Sequence, residues 1–422
     1  MGEVDFNRPI FKSAIVKLTA VCNLDCSYCY MFNQRDRTFE HVPRNLPLHD
    51  SLLLLRRIED YCRENAIPRF SLTLHGGEPT LWPRESFDRF LSEIDAIRQR
   101  GLDLHVTLQT NGYRLDMGLL ELLKKYCVVV GVSLDGPKRF NDARRYTHGR
   151  EGSYDNIIRN LKLLKEGPCA EIVAGVLCVA DPKIPPAEFF DWMQELPVRR
   201  FDLLWPMEFS YSNPPWVGHG FDDYCQHPAY GDWFSSIFKL WWMQDDPSLF
   251  IRVFFESILV NLGSPRHTDM LVNDTIDMIV VNTDGTVEYH DFLRSAGDGL
   301  TRTDYNIFEH DFNRLADDDT FRYLHNLGKH LPGDCSDCSH RRVCGGGFLP
   351  GRMNKFSKLP THRSVMCPDQ YRFFQTIQEA MKSSSAPASG LCDQDSGSAL
   401  PPKIANLLTG LTVNPLNVLT AQ

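Results

Sequence analysis

The 422-residue chain has no run of about eighteen apolar residues, which excludes a helix that spans hydrocarbon. Met1 to Arg8 is polar and lacks the apolar stretch of a secretory signal, so a cytoplasmic location is the expectation. No basic stripe is present: 45 Lys and Arg face 54 Asp and Glu, a net charge of −9. That balance argues against nucleic acid as a partner, because phosphate contacts need a concentrated basic face. A disulfide framework is also missing. The thirteen cysteines are odd in number and grouped at metal-like spacings, which fits a reducing compartment. With 42% apolar residues, the length suffices for one large domain and an appended one.

Three thiols, Cys22, Cys26 and Cys29, follow the strand-like Ala14 to Ala20 at CxxxCxxC spacing. A structural zinc site closes its shell with four protein ligands, whereas a 4Fe–4S cube held by three thiolates keeps one iron open to a small molecule. Half a zinc site remains the alternative for the triplet by itself. Further motifs sit at strand ends. Ser71 to Leu74 runs into His75-Gly76-Gly77-Glu78-Pro79, Leu104 to Gln109 into Thr110-Asn111-Gly112, and Val128 to Val132 into Ser133-Leu134-Asp135-Gly136-Pro137. Glycines at such ends let the backbone approach a ligand closely.

From about residue 12 to 206 strand and helix patterns alternate. Strand-like runs end near Thr19, Leu74, Gln109, Ser133, Val179 and Trp205, with amphipathic stretches such as Ser51 to Asn65, Glu85 to Arg98, Leu115 to Lys125 and Tyr154 to Lys165 between them. Six such units predict an α/β fold with a parallel sheet and its ligand motifs at the carboxyl ends of the strands. Beyond it, Trp205 to Trp216 is too rich in Pro and aromatics for a regular element; it reads as a channel-lining loop or one packed back on the protein. Phe234 to Met243 reads as a core helix. Cys62, Cys127, Cys169 and Cys178 read as ordinary buried thiols; Cys225 and Cys392 have no assignment.

The cysteine triplet with the Gly-Gly-Glu-Pro segment resembles the radical S-adenosylmethionine (radical SAM) superfamily. The resemblance implies a partial (β/α)6 TIM-like barrel and a 4Fe–4S cluster on Cys22, Cys26 and Cys29. It also implies S-adenosylmethionine on the open iron, cleaved to a 5′-deoxyadenosyl radical. It carries Tyr28, Gly76, Gly77, Glu78, Pro79 and Asn111 into the cofactor-binding set, with Glu78 an acceptor for the cofactor's amino group. The stretch from Ser133 through Arg144-Arg145 to Ser153 is similar to maturases related to anaerobic sulfatase-maturating enzymes. There the serine touches ribose and an arginine the carboxylate, which places Ser133 and, by spacing, Arg145 rather than Arg144 at the cofactor.

A second group, Cys335, Cys338, Cys344 and Cys367, offers four thiolates for either zinc or a closed cluster. Behind a radical SAM core it resembles the SPASM extension of peptide maturases, a small α+β domain, and implies one auxiliary 4Fe–4S cluster. The extension's other cluster lacks its ligands: Phe348 and His290 stand where cysteines are usual. His290 is open as a replacement ligand, and Asp291 aligns with an acidic residue that related enzymes use as a base, the catalytic assignment. Cys344-Gly-Gly-Gly-Phe-Leu-Pro-Gly-Arg352 resembles the CGGGYLPHRY of cyclophane-forming peptide maturases, with Gly351 and Met353 departing from it.

The expected division is an arm at 1–11, the barrel at 12–225, a helical connector at 226–270, the SPASM-like domain at 271–381 and a mostly disordered tail at 382–422. So short an arm leaves no leader-binding domain before the barrel; a peptide would bind at the barrel mouth or by strand addition to the extension. The resemblance implies an oxidoreductase that cross-links a ribosomally made precursor peptide, with flavodoxin or ferredoxin as external electron donor. A formylglycine-type maturase is the alternative, as is a zinc-binding redox or interaction protein.

Overall fold

The computed structural model describes residues 7–218, 220–264, 275–354 and 359–385, with the side chains of 384 and 385 excepted. Of the tail expected at 382–422, Lys382 to Ser385 end the helix Cys367–Ser385, and residues 386–422, with Cys392, lie outside the described residues. Among the described residues nine strands form one sheet: β1 Ser13–Thr19, β2 Arg69–Gly76, β3 Asp103–Thr110, β4 Val128–Ser133, β5 Val173–Val179, β6 Arg200–Leu204, β7 Phe250–Ile251, β8 Met278–Val281 and β9 Val287–Glu288. Their order is β7-β6-β5-β4-β3-β2-β1-β8-β9. All neighbours are parallel except the final β8–β9 pair.

The first six strands end where the apolar runs end. β4 is Val-Val-Val-Gly-Val-Ser, and its β-branched side chains suit a pleated surface buried on both faces. The intervening helices turn one apolar stripe to the sheet: on Leu48–Glu64 the buried positions Leu54, Leu55, Ile58, Tyr61 and Cys62 recur at helical spacing. The helix expected from Leu115 starts at Met117, because the carboxylate of Asp116 accepts the Leu119 amide and caps it.

Three features differ from the sequence-based expectation. β8, from the segment assigned to the extension, pairs in parallel with β1, Ser13 to Val16 opposite Met278 to Val281. The boundary expected at residue 271 therefore separates elements that share a sheet. The outer side of β9 is occupied by the chain itself, the amides of Val287 and Tyr289 donating to the carbonyls of Tyr305 and Thr301, so strand addition there is closed. Cys127 is exposed rather than buried; it occupies the turn before β4 with φ +52°, a conformation that points it away from the core.

The Pro- and aromatic-rich loop packs its rings inward. Trp205, fully buried, lies 4.1 Å from Phe234 between ring centroids, Phe209 rests on Tyr230, and Trp216 on Phe221 and Tyr224. The expected helix Phe234 to Met243 is the latter part of Ala229–Gln244.

Candidate active site and cysteine centres

At the carboxyl ends of the strands a cavity is lined by Cys22, Cys26 and Cys29 together with Tyr28, Gly76, Gly77, Glu78, Asn111, Ser133 and Arg145. Of the expected cofactor-binding residues only Pro79 is not in its wall; it is buried at the start of a short 3-10 turn, Pro79–Leu81. The lining also includes His75 from the strand-end motif, to which no role was assigned, and Tyr30, Gln109 and Met207, which motif reading did not single out.

The glycines have a local reason besides the cavity. A Cβ on Gly76 would lie 2.3 Å from the Thr19 carbonyl oxygen, and one on Gly77 2.1 Å from that of Val21. Their absence of side chain lets the Gly77 and Glu78 amides bond to those same carbonyls, at 2.8 and 2.9 Å, which fastens the end of β2 to the cysteine loop. Glu78 is sealed from water, and its carboxylate accepts from the Thr80 amide and hydroxyl, the Thr110 hydroxyl and the Asn111 amide. Four protein donors thus occupy the expected acceptor, so the carboxylate chiefly ties β2 to the end of β3.

The adjacent arginines divide their work. Arg145 lines the cavity, its Nη1 2.8 Å from the Tyr28 hydroxyl and 3.8 Å from Asp135, while Arg144 lies over the Tyr28 ring and pairs with Asp181. Tyr28 in turn donates to Asp135. Ser133 accepts a bond of 2.8 Å from Gln109. The Nε of Arg145 has no partner although the side chain is buried. An unsatisfied guanidinium donor in a cavity wall fits a carboxylate-bearing ligand, and the three-thiol loop beside it fits the iron of a cluster.

Burial pushes the thiols of Cys22 and Cys29 up to about 12, reinforced at Cys22 by Glu78 and at Cys29 by Cys26. Cys26 is raised for the same reason, opposed by Arg145. The second group behaves alike: burial raises Cys344, Cys335 and Cys367, the last to about 11, and Cys344 feels all three of its partners. Without a metal the thiols of both centres are held protonated, and a metal that binds there must displace those protons. Among the described residues no group of three His, Cys, Asp or Glu side chains is gathered closely enough to hold a metal ion.

Asp291 lies one layer behind the cavity. Lys17 Nζ approaches its Oδ1 at 2.6 Å and Arg294 Nε at 2.8 Å, and the Tyr30 hydroxyl donates to Oδ2 at 2.7 Å. Arg294 reaches Asp36 at 2.5 Å and also Glu288, and Lys17 reaches Glu288 at 3.2 Å. Although burial opposes ionisation, these cations hold the Asp291 carboxyl well below the usual carboxylate range. Its hydrogen bond to the cavity wall is the one from Tyr30, and His75 in the same wall is close enough to act on its charge. The one hint in sequence was Lys17, a charge inside an otherwise apolar strand. His290 and Phe348 are buried and both rings pack on Phe292, with centroids 4.5 and 5.1 Å away; His290 Nδ1 accepts the Phe292 amide.

Residues 16–189 match the Radical SAM superfamily, so the chain carries a radical SAM domain, a class that implies a 4Fe–4S cluster and S-adenosylmethionine. More particularly, the chain is similar to anaerobic sulfatase-maturating enzymes over most of its length. It is 23% identical to the serine-type anaerobic sulfatase-maturating enzyme of Bacteroides thetaiotaomicron over 89% of this chain and 91% of that protein. With the cysteine-type enzyme of Clostridium novyi it shares 23% identity over 84% and 91%. The fold matches anSMEcpe with bound AdoMet and Cp18Cys peptide at a TM-score of 0.73 and 20% identity, covering 88% of this chain and 99% of that one. It also matches SuiB of Streptococcus suis bound to the precursor peptide SuiA at 0.53 and 16%, covering 85% and 76%. No helix among the described residues is long and apolar enough to cross a membrane.

Proposed function

We propose that this enzyme installs an oxidative cross-link, a cyclophane carbon–carbon bond, in a ribosomally made peptide. The supporting observation is the aromatic packing of His290, Phe292 and Phe348. Space that a further cluster would require is filled by rings, which favours one auxiliary cluster, on Cys335, Cys338, Cys344 and Cys367. When bound on Cys22, Cys26 and Cys29, the first cluster with S-adenosylmethionine supplies a carbon radical that removes a hydrogen atom. Arg145 would hold the cofactor carboxylate, Tyr28 and Asp135 would orient Arg145, and Ser133 and Asn111 would complete the wall with the Gly76–Gly77 backbone. Asp291, expected from the sequence as a base, has its charge committed to Lys17 and Arg294 and would instead hold and orient the Tyr30 hydroxyl at the cavity wall, and an external donor such as flavodoxin or ferredoxin would supply the first electron. The division into barrel and extension belongs to the same proposal.

A second reading, a formylglycine-type maturase, is favoured by the nearly full-length similarity to both sulfatase maturases. The experiment that separates them uses anaerobically reconstituted enzyme, peptides with an aromatic residue two positions before an aliphatic one, and a sulfatase-type serine or cysteine peptide. A ring-to-side-chain bond in fragmentation spectra, without aldehyde, supports the cross-linking assignment. A hydrazide-reactive aldehyde overturns it. Asp291→Asn and Tyr30→Phe are expected to retain deoxyadenosine release and to lower product at least ~100-fold; unchanged product in both would remove the Tyr30–Asp291 pair from the reaction.

A further inference from the structure

Four arginines among the described residues are buried, and three of them face a carboxylate: Arg145 with Asp135, Arg252 with Asp202, and Arg294 with Asp36, Glu288 and Asp291. Arg352 is different. It is fully buried, and its described hydrogen bonds go to backbone carbonyls, His362 at 3.2 Å, His330 at 3.4 Å and Gly345 at 3.5 Å. No described carboxylate pairs with it; the ionisable groups near enough to favour its charge are Tyr323, Cys335 and Cys344. A guanidinium stays protonated, and a buried charge left without a counter-charge is costly.

The loop carrying Cys344 is built around this cation. Gly345, Gly346 and Gly347 all have positive φ, +61°, +87° and +90°, and a Cβ on Gly346 would lie 3.1 Å from Arg352 Nη1. A second unsatisfied group stands against the same loop. Gln370, fully buried, has neither amide atom partnered, and its Oε1 would lie 2.5 Å from a Cβ on Gly347. Positive charge and a free amide beside four cysteines are what an anionic four-thiolate centre needs, and what an empty pocket of thiols cannot satisfy.

We propose that Arg352 is the built-in counter-charge of the auxiliary centre, stabilising it when loaded and destabilising the fold when it is empty. The inference rests on the auxiliary-cluster reading above. A positive charge beside a cluster favours its reduced form, so Arg352 also holds the potential up.

The test compares the parent with Arg352→Met and Arg352→Lys, each as full chain, iron-loaded and metal-free. Expected for Arg352→Met is a sign reversal, a higher unfolding midpoint than the parent when metal-free and a lower one when loaded. The potential of the auxiliary cluster, followed by spectroscopic redox titration, should move negative, and Arg352→Lys should recover part of that shift. Equal loss of stability in both states with an unmoved potential would overturn the proposal and make Arg352 a packing residue. If the methionine variant does not fold, Arg352→Gln takes its place: a negative shift of the potential supports the proposal, and a potential unchanged from the parent overturns it. Unchanged iron content in Cys335→Ser with Cys338→Ser would instead bring down the auxiliary-cluster reading itself.

Discussion

His75 shows how burial at the cavity converts a motif residue into a pH-dependent element of stability. Burial lowers it from 6.5 to about 4, against the partial support of Asp291. Its folded-state value is depressed, so the unfolded chain binds a proton that the native site refuses. The neutral ring costs nothing above pH 6.5, and stability is lost as pH falls from there towards 4. At pH 5 the loss amounts to about 2 kcal/mol. A His75→Gln variant of the metal-free protein should show a shallower fall in unfolding free energy between pH 7 and 5 than the parent, measured by denaturant titration. Identical slopes would mean that the ring does not have to be neutral in the fold. The residue itself was visible in sequence as part of His75-Gly76-Gly77-Glu78-Pro79, but its half-buried place near Lys17 and Asp291 was not. Motif spacing identifies which residues converge at strand ends and says nothing of which are sealed. Glu78 illustrates the same gap: its acidity suggested a ligand contact, whereas its four hydrogen-bond donors come from Thr80, Thr110 and Asn111.

At the level of elements, periodicity gave the six barrel strands and their helices to within a few residues, because each has a buried stripe of its own. Two of the elements it missed are short. β7 and β9 have two residues each, too few for a period, and their pairing depends on partners distant in sequence. The last cysteine of the second group is likewise fixed by a distant element. Cys367 opens the helix Cys367–Ser385, and Asp369 in its first turn accepts the amides of Tyr230 and Gly231 and the Tyr224 hydroxyl. The two helices meet so closely there that a Cβ on Gly231 would lie 2.6 Å from the Asp369 carbonyl oxygen. Backbone cannot move aside as a side-chain end can. Gly231→Ala should therefore cost about 1–3 kcal/mol and displace Cys367. The expected result is reduced iron at the auxiliary site with the Cys22, Cys26 and Cys29 site still releasing deoxyadenosine; full iron content and an unchanged unfolding midpoint would refute it.

For the whole molecule, the decisive fact is that β1 has the barrel on one side and β8 on the other. Lys17, in the middle of β1, is completely buried, and both of its anionic partners, Glu288 and Asp291, come from beyond the barrel. Removing one partner of a buried ion pair costs about 3–5 kcal/mol. A chain cut to residues 12–225 would keep all six strands expected from the sequence, yet it would strand this ammonium and bare the β1 edge, where unpaired backbone groups invite association. Such a fragment should fail to unfold cooperatively and should aggregate. Lys17→Met separates the two causes. In the fragment it removes an unpaired charge and should raise stability; in the full chain it leaves Glu288 and Asp291 with Arg294 as their remaining cation in the network and should lower it. Thermal unfolding of the four proteins reads this directly. A wild-type fragment that melts cooperatively, or a substitution with the same sign in both lengths, would show that the barrel is independent of the segment that follows it. The opposite signs would mean that a single lysine, placed where a strand pattern calls for an apolar residue, makes the radical SAM sheet and the cysteine-bearing extension fold as one unit.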